Sequence, residues 1–68
     1  MTQNDFNYLE KELLSLLDKN YKLLTEFTDE IKNEQNIDTK KQLIEAYNEL
    51  NKQNSELNDN LKELYDGL

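Results

Sequence analysis

The chain has no cysteine, histidine, arginine, proline or tryptophan and a single glycine among its 68 residues. Without cysteine there can be no disulfide, and without cysteine or histidine a structural zinc site has no ligands. At this length, apolar burial barely exceeds the conformational entropy lost on ordering the chain, so a stable domain needs a supplement to its core. With cross-links excluded, the supplement that remains is association with further helices.

Positive charge is also scarce: 15 Asp and Glu face 8 Lys, for a formal net charge of -7. Neutralising phosphates takes clustered Lys or Arg, so nucleic acid is not an expected ligand, and anionic membranes are disfavoured for the same reason. No apolar run approaches the roughly 20 residues of a membrane span, and Met1 to Glu12 are acidic where a signal peptide begins basic. The expectation is a soluble, cytoplasmic protein. The scarcity of Ala, Gly, Pro and Arg beside abundant Asn, Lys and Leu fits the bias of an AT-rich genome, as in a low-GC bacterium or its phage.

Reactive constellations are missing too. There is no Gly-rich phosphate loop, no Ser-His-Asp or Cys-His set and no metal-ligand spacing. Glu26 with Glu30 and Glu45 with Glu49 place carboxylates one helical turn apart, but mostly on charged faces and with no Glu-x-x-His partner. A solvated face outweighs metal binding or acid-base catalysis there. No enzyme activity, cofactor, metal or small-molecule substrate is expected.

What the chain does contain is a heptad pattern. Leu43, Leu50, Leu57 and Leu64 recur every seven residues at position d, with Tyr47, Asn54, Leu61 and Leu68 between them at a, the seam of a helix that needs partners. In the first half Phe6, Leu13, Asn20 and Phe27 take a, Leu9, Leu16 and Leu23 take d, and Leu17, Leu24 and Ile31 take e. Leu14 and Tyr21 at b widen this apolar arc to d, a, e and b. A stripe about 100° wide serves one neighbour. The wider arc implies two.

Between Ile31 and Leu43 the periodicity lapses, and Asn33, Asn36, Asp38 and Thr39 favour turns or caps. The pattern predicts a turn near residues 35–38 joining helices over about 5–34 and 39–66. Thr2, Asn4 and Asp5 are N-cap candidates for the first helix, with Thr2 and Asp5 at the spacing of a weak capping box, and Asp38, or Thr39 with Gln42, suits the start of the second. Lys40, Lys41, Glu30 and Glu34 oppose the helix dipoles by a few tenths of a kcal/mol each, and with no Gly or Pro at the turn one continuous helix is the alternative. The broken phase and arms of nearly equal length, ~45 and ~42 Å, favour a hairpin.

The rows flanking the second seam carry no charge: Ile44, Asn51, Asn58 and Tyr65 at e, and Thr39, Ala46, Gln53, Asn60 and Gly67 at g. A two-stranded zipper selects its partner through e and g charge pairs, so their absence points to a bundle of more helices. The fold class expected is all-α: one domain, residues 1–68, forming a coiled-coil-like antiparallel helical hairpin that dimerises into a four-helix bundle. This pattern is similar to that of the Rop-type plasmid RNA-binding hairpin, also short, all-helical and dimeric. The resemblance implies a hairpin dimer but not RNA binding, which needs a basic, polar face; every face here mixes Lys with more Asp and Glu.

The side chains expected at the oligomer or partner interface are Leu13, Leu14, Leu17, Tyr21, Leu24, Phe27, Ile31, Leu43, Tyr47, Leu50, Leu57, Leu61 and Leu64. Asn20 and Asn54, amides inside apolar seams, are expected to set register, and about a turn at residue 37 they fall in one layer where they can hydrogen-bond. Tyr47 and Tyr21 are expected to pack with their hydroxyls at the rim, whereas exposed Tyr8, or the edge of Leu14 and Tyr21, suits a partner protein. Two functions compete. One is a self-associating scaffold, adaptor or assembly factor acting through itself or another protein. The other is an acidic inhibitor, antitoxin-like or phage-encoded, that occupies a basic nucleic-acid-binding site on a partner. Replacing both amides (Asn20→Leu with Asn54→Leu) should raise the melting temperature and broaden the oligomer distribution; light scattering that shows one unchanged species would refute the register role.

Overall fold

A computed structural model describes residues 2–67. Two α-helices, α1 (Gln3–Asn33) and α2 (Ile37–Asp66), fold back on one another as an antiparallel hairpin, with no strand among the described residues. Leu68, the expected last seam position, lies outside them.

The start of α1 is the one its sequence implies. Thr2 Oγ1 accepts from the Asp5 backbone N–H at 3.1 Å and the Asp5 carboxylate accepts from the Thr2 N–H at 3.4 Å, so the capping box is closed. The cap at Thr2 starts the helix at Gln3, earlier than residue 5, and nothing in the next thirty residues breaks it. Asp5 also lies where the helix dipole favours an anion.

The reversal occupies Glu34, Gln35 and Asn36, which places it earlier than expected. Glu34 leaves the helix at φ -77° and ψ 132°, and Asn36 is likewise extended at φ -80° and ψ 122°. These angles suit any side chain, so the turn needs no glycine. Glu34 Oε1 accepts from the backbone N–H groups of both Gln35 and Asn36 at 3.0 Å. A carboxylate that looks misplaced beside a helix C-terminus thereby satisfies two turn donors. Asn36 Oδ1 then accepts from the Thr39 N–H at 3.1 Å, which makes Asn36 the N-cap of α2 in place of Asp38 or Thr39. Asp38, inside the first turn, instead complements the dipole.

In α2 the seam is the expected one, with Asn54 and Leu61 buried and Tyr47 and the four heptad leucines half-buried. In α1 it is rotated. Leu17 and Leu24 at e are buried, and Phe6, Leu13, Asn20 and Phe27 at a are half-buried, whereas Leu9 and Leu16 at d are exposed. Facing α2 through the middle of the d-a-e-b arc buries the most apolar surface that one neighbour can cover. A seam on a and d, one edge of that arc, would leave Leu17 and Leu24 outside.

The amides do not pair. Asn54 is only 2% exposed, yet neither its Oδ1 nor its Nδ2 has a hydrogen-bond partner among the described residues. Asn20 is half-buried beside Gln53 and Leu57 on the d-side edge of the rotated seam, while Asn54 is enclosed within it. A buried, unpaired amide costs about 1–3 kcal/mol. Asn54→Leu alone should therefore supply most of the gain of the double replacement, about 1–3 kcal/mol in urea unfolding, with Asn20→Leu contributing less. An Asn54→Leu chain no more stable than wild type would show that the amide is satisfied.

Candidate interaction surface

Because α1 faces α2 through a and e, its d and b rows stand on opposite sides of the seam and give the rod two unlike flanks. The rod measures 51 × 15 × 11 Å.

On the d side, Leu9, Leu13 and Leu16 of α1 and Leu64 of α2 line a groove rimmed by Glu12, Asn60 and Glu63. The groove continues past Leu16 over Asn20, Gln53, Glu56 and Leu57. Further toward the turn the same side is lined by Asp29, Glu30, Asn33, Glu34, Thr39 and Leu43. Among the described residues, every charged side chain lining these three stretches is an acid. Beside them Tyr8, 63% exposed, donates to Glu12 Oε1 at 3.2 Å and borders a second depression shared with Lys11, Ser15 and Leu16.

The b side differs. Leu14 and Tyr21 are 47% and 51% exposed there, and Ile44 and Tyr65 on the facing e row of α2 are similarly open. The b row reads Asn7, Leu14, Tyr21 and Thr28, the e row Ile44, Asn51, Asn58 and Tyr65, and neither contains a charge. Thr25 and Thr28 donate their hydroxyls to the Tyr21 and Leu24 carbonyls at 3.1 and 2.9 Å, so these donors are used inside the helix.

The expected interface residues thus separate into three groups. Leu17, Leu24 and Leu61 are consumed by the hairpin's own seam. Leu13, Phe27, Ile31, Leu43, Tyr47, Leu50, Leu57 and Leu64 are half-buried. Leu14 and Tyr21 are open to a partner, and Tyr21 is more exposed than its expected packing at the seam margin. Sequence reasoning placed Leu9 and Leu16 inside the seam and left Ile44 and Tyr65 out of the interface. The midpoint of the apolar arc, between a and e, was the signal that would have found them.

At the open end the two helices are clasped. Tyr65 donates its hydroxyl to Glu10 Oε2 at 2.9 Å, and its ring tilts 53° against Phe6 at a centroid distance of 6.0 Å. Glu10 interrupts the apolar e row of α1, and this cross-helix bond is what accommodates it. The hydrogen bond to Glu10, with lesser contributions from desolvation and the carboxylate charge, holds the Tyr65 phenol above its ordinary pKa. Elsewhere Lys22 and Asp18 pair at 3.5 Å on the exposed side of α1, a contact that adds little stability. Among the described residues no three His, Cys, Asp or Glu side chains are placed to hold a metal ion, and no helix is long and apolar enough to cross a membrane. No protein family, curated protein or solved structure matches the chain.

The bond needs a protonated phenol, so its stabilisation is complete below the ordinary tyrosine value of 10.0 and is lost as pH rises through the raised one. In an ultraviolet phenolate titration, Glu10→Gln should lower the Tyr65 midpoint, and the stability gap between wild type and variant should close in alkali. Superimposable titrations would show that Glu10 does not hold the phenol.

Proposed function

We propose that the protein is a non-enzymatic, cytoplasmic interaction protein that self-associates, two hairpins meeting on the uncharged flank of Leu14, Tyr21, Ile44 and Tyr65 to form a four-helix bundle that serves as a small scaffold or adaptor. The observation that carries this reading is the flank itself: two neighbouring heptad rows without a charge, holding four large exposed side chains, on a molecule with a net charge of -7.

The surface area supports it. The hairpin exposes 5389 Å² at a mass of 8.1 kDa, where a compact monomer of that mass exposes about 4,500 Å². The excess of roughly 900 Å² is close to the ~800 Å² that each partner contributes to a standard interface. Among the described residues only Leu17, Leu24 and Leu61 form a buried apolar core, which is too little for a domain without cross-links.

Charge favours a second copy on this flank. Two chains of like charge can pair where the facing rows carry no charge, the Glu10 carboxylate at the end of the flank being held by the Tyr65 hydroxyl, and interface centres are depleted of charged residues. A two-fold pairing sets the same rows against each other. The next rows out carry both signs, Lys11, Asp18 and Lys32 on α1 and Lys41 and Lys62 on α2, so the rim is not uniformly repulsive.

Sedimentation equilibrium should find a species near twice the 8.1 kDa chain mass that persists in high salt, as apolar assembly does. Leu14→Glu with Tyr21→Glu should weaken it at least ~100-fold, from the loss of two buried side chains at about 1.5–3 kcal/mol each. Leu17 and Leu24 are unsuitable for this test, since a charge inside the seam unfolds the hairpin. A wild-type chain that stays helical and sediments at 8.1 kDa at every concentration would refute the reading.

A further inference from the structure

The d-side groove has chemistry of its own, and self-association on the opposite flank does not use it. Its floor is leucine and the charged side chains that line it are all acids, with Lys19, one heptad beyond Glu12, the basic residue of that bordering row. We propose that this groove docks a basic amphipathic helix from a different protein, an apolar stripe lying on Leu9, Leu13, Leu16 and Leu64 while flanking lysines or arginines pair with Glu12, Glu56 and Glu63.

Length and shape fit a helix. From Leu9 to Asn20 the floor rises about 17 Å, or three helical turns. A helix in a groove is read through apolar anchors at i, i+3 or i+4 and i+7, and Leu9, Leu13 and Leu16 offer a floor with the same repeat. Docking there adds a third helix along the rod on the side where α1's d row lacks a neighbour.

Charge decides between this occupant and a second copy. A second hairpin presenting the same groove would bring Glu12, Glu56 and Glu63 against their own images. Nor does another face of the chain supply a basic stripe: the outer f row of α2 is Glu45, Lys52, Asp59 and Asp66, and that of α1 alternates Lys11, Asp18, Thr25 and Lys32. The net charge of -7 also steers such a partner toward the hairpin at low ionic strength.

The test uses the full chain and a fluorescein-labelled synthetic helix of roughly 20 residues, with leucines at i, i+3, i+4 and i+7 and lysines on both flanks. Controls are a shuffled peptide of the same composition and a peptide with glutamate in place of lysine. Fluorescence anisotropy at about 50 mM salt should show the amphipathic basic peptide binding at least ~10-fold tighter than the shuffled one, and weakening about 10-fold by ~500 mM. Glu12→Gln with Glu56→Gln and Glu63→Gln, which preserves shape, should lose at least ~10-fold and flatten the salt dependence. Leu9→Ala with Leu16→Ala should weaken binding at every salt concentration while circular dichroism shows the helices retained. Leu14→Glu with Tyr21→Glu should bind the peptide as wild type does, which keeps failure of self-association separate from failure of this inference. Three results would each overturn it: no binding of the basic peptide, equal binding of the shuffled peptide, or an unchanged triple Gln variant. It also falls if Leu9→Ala with Leu16→Ala converts a wild-type oligomer to monomer, because a second copy then covers the groove.

Discussion

α1 carries more apolar surface than one helix can cover, and the angle at which it meets α2 decides what is left over. By presenting the middle of its arc it commits Leu17 and Leu24 to the seam and divides the remainder between two flanks, Leu9 and Leu16 on one side and Leu14 and Tyr21 on the other. Meeting α2 through an edge of the arc would have left one continuous outer stripe. The hairpin therefore has two separate surfaces, each bounded by whatever α2 places across from it.

The two flanks differ because the rows of α2 differ. Opposite Leu14 and Tyr21 stand Ile44, Asn51, Asn58 and Tyr65, without charge; opposite Leu9 and Leu16 stand Gln53, Asn60 and, just outside them, Glu56 and Glu63. Desolvating a charge is expensive unless it is paired, so the uncharged flank suits another copy and the acidic one a cation-bearing partner. The two surfaces lie on opposite sides of one hairpin, so the proposed self-association and the proposed docking of a basic helix do not compete for the same residues.

The ends and the turn keep this arrangement in register. Glu34 and Asn36 close the reversal with their own side chains, and Tyr65 ties α2 to Glu10 and Phe6 at the open end. Asn54 opposes the general pattern: its amide is enclosed in the seam unpaired, and stability is lower for it.

Much of this was legible in the sequence, for identifiable reasons. The period of seven in Leu43, Leu50, Leu57 and Leu64 determines a helix and its buried face, because side chains at that spacing share one side of it. The lapse after Ile31 pointed to a reversal between two helices, and Thr2 with Asp5 marked the start of the first to within a few residues, since capping is local chemistry. Three things were settled only by the tertiary structure. The seam of α1 follows from competition between rows of nearly equal apolar content, Leu9, Leu16 and Leu23 against Leu17, Leu24 and Ile31, which α2 alone resolves. The separation of Asn20 from Asn54 follows from the same rotation of α1, which carries its a row to the d-side edge of the seam. The contrast between an acid-lined groove and an uncharged flank exists only once two helices stand side by side, because each surface is built from rows that lie dozens of residues apart in the chain.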